Sequence, residues 1–377
     1  MSLSFAETPE QAEFRGYVRE WLRANCPTDP PPAEESAQVD FLRGWQRQLA
    51  GEGLVAAQWP TEYGGRGLGW MDNFIVQEEL ALARAPEIIN RMAVNLVGPA
   101  LMAHGSATQR ARYLPHMLSA DQIWCQLFSE PSAGSDLRSL RTAARRRPAG
   151  GWEISGSKIW SSWAHYADRA VLLARTDGET GRAGDIGYFL LDMRQAGVVT
   201  RPVRQMTGDA EFCEVLLDGA VVDDADVVGE PAGGWNVVRT TIRYERSISP
   251  RQLITHVQLL EHLLEYARAN RLSPELRERL AQAYTELTIY RLHLYRVLTE
   301  LESDGEPSAR SSVIKLFWSE MAQRMHELAM DIGGMKAVCG PDEHVRAYLY
   351  YRACTIFAGT SEIQRDTLAH QVLRMPR

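Results

Sequence analysis

At 377 residues, the chain exceeds the length that one hydrophobic core usually serves, so two or three sub-domains are expected. Its net charge of −7 disfavours nucleic acid as a partner, because phosphate binding needs a concentrated basic surface. No apolar run reaches the roughly 18 residues of a membrane helix, and no signal-peptide pattern is visible, so neither is expected. Few, scattered cysteines and histidines lack metal-ligand spacing, so we expect no metal site, reduced thiols and a cytoplasmic location.

The first third of the sequence has helical periodicity. Thr8 is suited to an N-cap, Pro9 to the first helical position, and Gln11 to the return contact of a capping box. Further helical patterns cover residues 39–51, 70–85 and 88–104. We therefore predict an all-α N-terminal domain over residues 1–122.

The periodicity changes near residue 122. Short runs rich in β-forming residues follow, separated by Gly, Pro, Asp and Ser, which is typical of antiparallel strands. The runs are 123–128, 152–155, 157–160, 169–176, 186–192, 198–203 and 213–217. They predict a compact, antiparallel β domain over residues 123–230.

Helical periodicity returns after residue 234 and holds to the end. Ser273 and Pro274 predict the start of a long helix that ends near Leu301. Another helix is predicted from about residue 308 to 332, with Gly333 in the left-handed conformation after its last turn. The prediction is thus an α+β protein whose residues 231–377 form a helical bundle.

The segment from Gln126 to Asp136 is the first that suggests a site. It ends a predicted strand in a loop of small residues, which lets backbone N–H groups and hydroxyls approach an anionic or heteroaromatic ligand. An ordinary turn explains the same composition. This segment alone leaves both interpretations open.

The second segment runs from Lys158 to Trp163. Trp160 and Ser162 share one face of a strand by the period of two. An aromatic wall beside a hydroxyl suits a flat ring that also needs a hydrogen-bond donor. The alternative is a tryptophan packed in the core.

The third segment runs from Phe357 to Arg365. Ser361 and Gln364 have the spacing of a capping box, and a helix N-terminus favours a negative group such as a diphosphate. A capped helix without a ligand is the alternative.

These segments, in this order, resemble the acyl-CoA dehydrogenase superfamily over essentially the whole chain. The agreement is closest in the loop Glu130–Asp136 (Glu-Pro-x-Ala-Gly-Ser-Asp) and in Gly359–Gln364, and Trp59–Gly65 matches as well. The resemblance implies an α+β, three-part fold: a helical N-terminal domain, a central antiparallel β domain that contacts FAD, and a C-terminal four-helix bundle.

The resemblance also assigns site residues by position. The assigned FAD contacts are Phe128 and Ser129 at the flavin edge, Ser135 at the diphosphate or thioester side, Trp160 beside the ring, Ser162 near N5, and Thr360 and Glu362 at the ADP half.

The reaction that the resemblance implies is α,β-dehydrogenation of an acyl-CoA or acyl-carrier thioester. A base takes the proton from Cα, and a hydride passes from Cβ to flavin N5. The base should be a carboxylate in a dry pocket, where desolvation makes it more basic.

The identity of the base departs from the commonest family pattern. Many members place a glutamate immediately before Gly-Thr-Ser, where this chain has Ala358. The isovaleryl- and sterol-type branch carries it on the first helix of the C-terminal bundle, where this chain has Glu245. We therefore predict Glu245 as the base, with Arg246 beside it tuning its charge. A surface glutamate paired with a nearby arginine is the alternative.

Two further departures concern assembly. Residues 266–274 lack the Arg-x-x-Phe-Gly motif with which many homotetrameric members reach a neighbour's FAD, and Met330 stands where those members have a glutamine. Both changes resemble the branch in which two different chains share cofactor sites. A homo- or hetero-oligomer, dimer or tetramer, is expected, with an electron-transfer flavoprotein as acceptor.

Two other functions stay open. One is a flavin monooxygenase or oxidase on the same fold, since those relatives also lose the usual glutamate; Glu245 argues against it. The other is a FAD-poor partner subunit of a heteromeric dehydrogenase. The retained set of flavin-type residues argues against that function.

Overall fold

The computed structural model describes residues 7–176, 186–245, 250–305, 307–339 and 343–376, with side chains except those of 335–339 and 343. The helices in these ranges are α1 Pro9–Asn25, α2 Glu35–Gly51, α3 Trp70–Leu82, α4 Gly98–His104, α5 Ala107–Ser119, α6 Gly234–Glu245, α7 Pro250–Ala269, α8 Pro274–Asp304, α9 Ser311–Cys339, α10 Glu343–Tyr351 and α11 Ser361–Thr367. The strands are β1 Trp124–Leu127, β2 Ala143–Arg146, β3 Trp152–Ser162, β4 Arg169–Thr176, β5 Ile186–Asp192, β6 Val198–Val203 and β7 Phe212–Val222.

Two helix starts follow directly from their cap residues. The Thr8 hydroxyl accepts from the N–H of Gln11, and the Gln11 side chain accepts from the N–H of Thr8, so the predicted capping box of α1 is confirmed. Ser273 caps α8, with Pro274 in the first turn. Both signals are local, so neighbouring residues alone decide them.

The chain divides into two compact units. Unit 1 comprises Met1–Cys26, Gly69–Ala85 and Arg246–Arg377, and unit 2 comprises Pro27–Leu68 and Pro86–Glu245. Unit 1 therefore contains α1, α3 and α7 to α11, while unit 2 contains α2, α4 to α6 and all the strands. Both units include N-terminal helices. The three domain ranges from the sequence pattern remain a prediction.

Unit 1 is a helical assembly, and its described residues include a large apolar core. Leucines of α7 and α8 pack against methionines of α9; core members include Leu253, Leu260, Leu287, Leu294, Met321 and Met325. The first helix is held by charge as well, since Arg15 and Arg19 of α1 contact the buried Glu79 of α3 at 2.7 and 2.8 Å. None of the helices in the described ranges is long and apolar enough to cross a membrane.

The end of α9 differs from the prediction. The left-handed φ lies at Gly334 (+54°) rather than at Gly333, and the helix resumes to Cys339. A glycine pair offers the conformation at either residue. Local sequence therefore predicts the break without deciding which glycine adopts it.

Unit 2 is built on a seven-stranded sheet in the order β1-β4-β2-β3-β7-β6, with β5 also paired to β4. Antiparallel pairs join β2 to β3, β3 to β7, β4 to β5 and β6 to β7. The pairs β1–β4 and β2–β4 are parallel, so the sheet is mixed. The α+β class is confirmed. The predicted purely antiparallel pairing is wrong for the pairs β1–β4 and β2–β4, because alternation is the same for both kinds of pairing and does not encode strand direction.

Candidate functional site

A loop and a strand bulge meet in unit 2. We call residues Phe128–Glu130 the edge loop. The N–H of Ile159 on β3 donates to the Ser129 carbonyl over 3.0 Å, and Glu130 and Ala133 exchange backbone hydrogen bonds at 3.0 and 3.1 Å. The edge loop is therefore attached to β3 and ends in a closed turn from Glu130 to Ala133.

The strand β3 has a bulge where it passes this loop. Its pairing with β7 shifts between Lys158 and Ser161, and Trp160 has a left-handed φ of +62°. The Trp160 side chain is 58% exposed, Ser161 is buried, and Ser162 is half-buried. Trp160 and Ser162 thus lie off the core side of the strand, with Trp160 edge-on to Phe212 at 6.1 Å.

Beneath the bulge lies a buried ion pair that sequence reasoning missed. Lys158 is fully buried, and its Nζ donates to the Glu130 carboxylate at 2.9 Å and to the Phe128 carbonyl at 3.1 Å. The available signal was a lysine at a core-facing position of an alternating strand.

The edge loop is linked to α6 through the sheet. The Phe128 ring packs edge-on against Tyr188 of β5 at 6.0 Å. The Tyr188 hydroxyl lies 3.3 Å from that of Thr241, which donates in turn to the Val237 carbonyl, so Tyr188 is the donor to Thr241. Burial raises the pKa of Tyr188 well above its ordinary value, so this hydroxyl keeps its proton.

Glu245 is the last residue of α6 and is half-buried. It follows Thr241 by four residues, which puts the two on one face about 6 Å apart along the axis. Val238 and Thr241 on that face are buried in unit 2. The same unit therefore contains Glu245 together with Phe128, Ser129, Ser135, Trp160 and Ser162. Arg246 lies outside the described residues.

The remaining predicted residues belong to unit 1. Ala358, whose φ is +54°, has a methyl group that cannot accept a proton. The N-cap of α11 is Thr360, whose hydroxyl accepts from the Ile363 N–H at 3.3 Å; the predicted capping role of Ser361 is wrong. Adjacent hydroxyl residues offer the same cap chemistry; here Thr360 has the extended backbone conformation of an N-cap, and Ser361 is already the first residue of α11.

The other members of this segment are also accounted for locally. The Gln364 amide donates to the carbonyls of Ala358 and Gly359 at 3.0 and 3.2 Å. Hydrogen bonds from its own backbone N–H and from Thr360 hold the pKa of Glu362 below its ordinary value, so this carboxylate is ionised at neutral pH. The segment is thus ordered by its own contacts.

The unit 2 residues fit a flat heteroaromatic ring with a polar edge. Trp160 presents an exposed apolar surface, and Ser162 follows it by two residues. Within the described ranges, the hydroxyls of Ser129 and Ser162 form no hydrogen bond with another side chain or backbone group, so they are available to a ligand. An isoalloxazine ring has this combination of apolar face and hydrogen-bonding edge.

Family comparisons cover nearly the whole chain. The profile of the acyl-CoA dehydrogenase N-terminal domain matches residues 8–121, that of the middle domain matches 125–220, and that of the C-terminal domain matches 232–373.

Individual relatives agree with these profiles. Acyl-CoA dehydrogenase IpdE1 of Mycobacterium tuberculosis is 38% identical over 380 residues, which is 97% of this chain and 98% of the relative. Two solved structures share the fold at 28% identity. For the Tcur3481-Tcur3483 steroid ACAD, the TM-score is 0.86 and the match covers the full length of both chains. For the ChsE4-ChsE5 complex from Mycobacterium tuberculosis, the TM-score is 0.85 and the match covers 99% of this chain and 99% of the solved chain.

Proposed function

The chain belongs to the acyl-CoA dehydrogenase family, and we propose that it desaturates an acyl-CoA thioester with Glu245 as the base that removes the Cα proton. The observation that carries this proposal is the contact series from Phe128 through Tyr188 to Thr241. It links the edge loop to the face of α6 that Glu245 shares. A carboxylate at that position lies in the same unit as the residues that are proposed to line the flavin ring.

FAD is the family's cofactor, and the residues of unit 2 would hold its ring. Trp160 would cover one side of the ring, Ser129 and Ser162 would hydrogen-bond its polar edge, and Phe128 would back it. When bound, FAD supplies the acceptor for the hydride from Cβ. The protein's part is to orient the thioester, exclude water and hold the Cα proton on the Glu245 carboxylate. Thr360 and Glu362 are proposed contacts of the ADP half, and Ser135 is a proposed contact at the diphosphate or thioester side.

Partial burial suits Glu245 to this role. A positioned carboxylate that is partly shielded from water can serve as a general base. Ala358 offers no competing acceptor. Arg246 remains the proposed neighbour that tunes the charge.

The relatives support a proposal about the substrate class. The solved relative from the Tcur3481-Tcur3483 pair is described as a steroid ACAD. We propose a bulky, sterol-type acyl-CoA rather than a carrier-bound acyl group. A panel of short-chain, branched and sterol-derived acyl-CoAs would test this, with the sterol-derived thioester expected to have the highest kcat/KM.

The partner is proposed to be a second, different chain. Two solved relatives are described as pairs of chains. Residues 266–274 also lack the Arg-x-x-Phe-Gly motif of many homotetrameric members, and Met330 replaces their glutamine. An electron-transfer flavoprotein is the proposed acceptor. Light scattering of this chain alone and mixed with candidate sister chains would test the pairing.

One preparation distinguishes the three functions that the sequence leaves open. Yellow protein whose flavin bleaches anaerobically with an acyl-CoA supports the dehydrogenase. Yellow protein that is reduced only by an external donor and then consumes oxygen supports the monooxygenase. Colourless protein supports a FAD-poor partner subunit.

Glu245→Gln tests the base directly. The variant should keep its yellow colour and bleach about 10³-fold more slowly, because general-base catalysis contributes roughly 10²–10⁴-fold. The matched control is Glu230→Gln, which removes an exposed carboxylate from the loop before α6 and should leave the rate unchanged. A Glu245→Gln variant with normal turnover would exclude the assignment.

A further inference from the structure

Lys158 has a buried charge in the strand that carries the proposed flavin wall. Its side chain is fully buried, and its ammonium contacts two residues of the edge loop, the Phe128 carbonyl and the Glu130 carboxylate. We propose that Lys158 is a positioning residue that sets the spacing between the edge loop and the bulge at Ile159–Trp160, and thereby the slot for the flavin edge. This inference rests on the proposed function.

Both carboxylate oxygens of Glu130, the second partner of the ion pair, accept hydrogen bonds. One oxygen of Glu130 accepts from the Thr142 N–H at 2.8 Å as well as from Lys158, and the other accepts from the Arg141 N–H at 2.7 Å. These hydrogen bonds and the ammonium lower the pKa of Glu130 against the opposing effect of burial. The carboxylate therefore stays ionised and keeps the loop fixed to the start of β2.

Stability alone does not require an ion pair here. Burial lowers the pKa of Lys158 to about 8 although Glu130 opposes the shift, so the charge costs free energy at this site. Buried ion pairs can often be replaced by apolar residues without loss of stability. An apolar pair would lack the directional hydrogen bond that the ammonium makes, because only a donor can hold the Phe128 carbonyl at one distance and angle.

The bulge explains why a directional hydrogen bond is needed at this position. Trp160 has a left-handed φ that a tryptophan rarely adopts, so contacts around it must hold the conformation. Ile159 is bonded to Ser129 by one backbone hydrogen bond, and Lys158 adds two side-chain bonds immediately before it. Without the ammonium, one of three links between the loop and β3 remains.

The test is FAD affinity of the apoprotein, measured by quenching of flavin fluorescence in wild type and in Lys158→Met. Methionine keeps the length of the side chain and removes the donor. We expect the variant to be folded by circular dichroism and to bind FAD at least about tenfold more weakly, a loss of about 1.4 kcal/mol. Its bound flavin should also lose the resolved fine structure of its visible absorption band.

The matched control is Tyr113→Phe. This residue is buried in the same unit, and its hydroxyl donates to Asp226 rather than to the edge loop. The control should lower the unfolding midpoint and leave FAD affinity and the flavin spectrum unchanged. A folded Lys158→Met protein with wild-type affinity and spectrum overturns the inference.

A double variant covers the case in which Lys158→Met does not fold. Lys158→Met with Glu130→Gln removes both charges and keeps a carbonyl oxygen for the Thr142 N–H. A folded double variant with weakened FAD binding supports the inference, and one with normal binding overturns it. If neither variant folds, the pair is purely structural and the inference is wrong. Wild-type protein that binds no FAD contradicts the proposed function as well.

Discussion

Lowering the pH from 7.5 to 5.5 should destabilise unit 1, because two histidines are buried there as neutral rings. His256 of α7 and His326 of α9 lie 5.6 Å apart, and His326 stacks on Tyr351 at 4.3 Å. Burial lowers the pKa of His256 to about 4 although the Gln252 carbonyl opposes it. Burial, helped by His256, lowers the pKa of His326 to about 3.

The size of the effect follows from linkage. Both pKa values are depressed in the folded state, so below pH 6.5, the ordinary value, the unfolded chain binds protons that the folded chain does not. The contribution of the two neutral histidines to the free energy of unfolding is fully present above that pH. It falls as the pH drops toward the pKa values of the histidines in the folded state. At pH 5.5 each histidine costs about 1.4 kcal/mol, or about 3 kcal/mol for both. This figure holds for any folded pKa well below 5.5.

The assay is urea unfolding at the two pH values. His326→Phe keeps a ring against Tyr351 but removes one titrating group, so it should reduce the difference in unfolding free energy between pH 7.5 and 5.5 by about 1.4 kcal/mol. Tyr351→Phe is the control. It removes the hydroxyl that donates to Gln252 at 3.0 Å and should lower stability equally at both pH values. An unchanged pH difference in His326→Phe would refute the reasoning.

The remaining predictions concern unit 2. Ser162→Ala should keep FAD bound and slow anaerobic bleaching about tenfold, the effect of one hydrogen bond; loss of the flavin would show that Ser162 is wrongly assigned to N5. Tyr188→Phe should cost about 1 kcal/mol of stability in urea unfolding, and it should lower kcat more than it raises KM, because α6 loses its bond to β5. Thr241→Val should reproduce that pattern. A change confined to KM would contradict the link from β5 to Glu245.

Local patterns in the sequence were enough for the helix starts and for the kinds of elements. Thr8 and Ser273 cap their helices because each bonds to a backbone group three residues away. The motifs of Glu130–Asp136 and Gly359–Gln364 pointed to the family, which the comparisons show. The period of two predicted one face for Trp160 and Ser162, but it would place Lys158 on that face as well, and only the bulge separates the buried Lys158 from the exposed Trp160.

Other features depend on residues that are distant in sequence. The parallel pairs of β4 with β1 and β2 join strands whose alternation does not encode direction. Lys158 meets Glu130 across 28 positions, and Tyr188 meets Thr241 across 53. The choice between Thr360 and Ser361 as cap, and between Gly333 and Gly334 as the break in α9, likewise needed the packed chain.

The sequence by itself determined the family and the order of helices and strands. It also showed that Ala358 has no carboxylate, which is the reason for proposing Glu245 as the base. Tertiary structure alone decided that Lys158 is buried beneath the bulge, that the rings of His256 and His326 are buried beside each other, and that α6 is bonded to β5. The physical reason is desolvation. A charge or imidazole acquires its properties from the groups that exclude water around it, and folding brings those groups from distant parts of the chain.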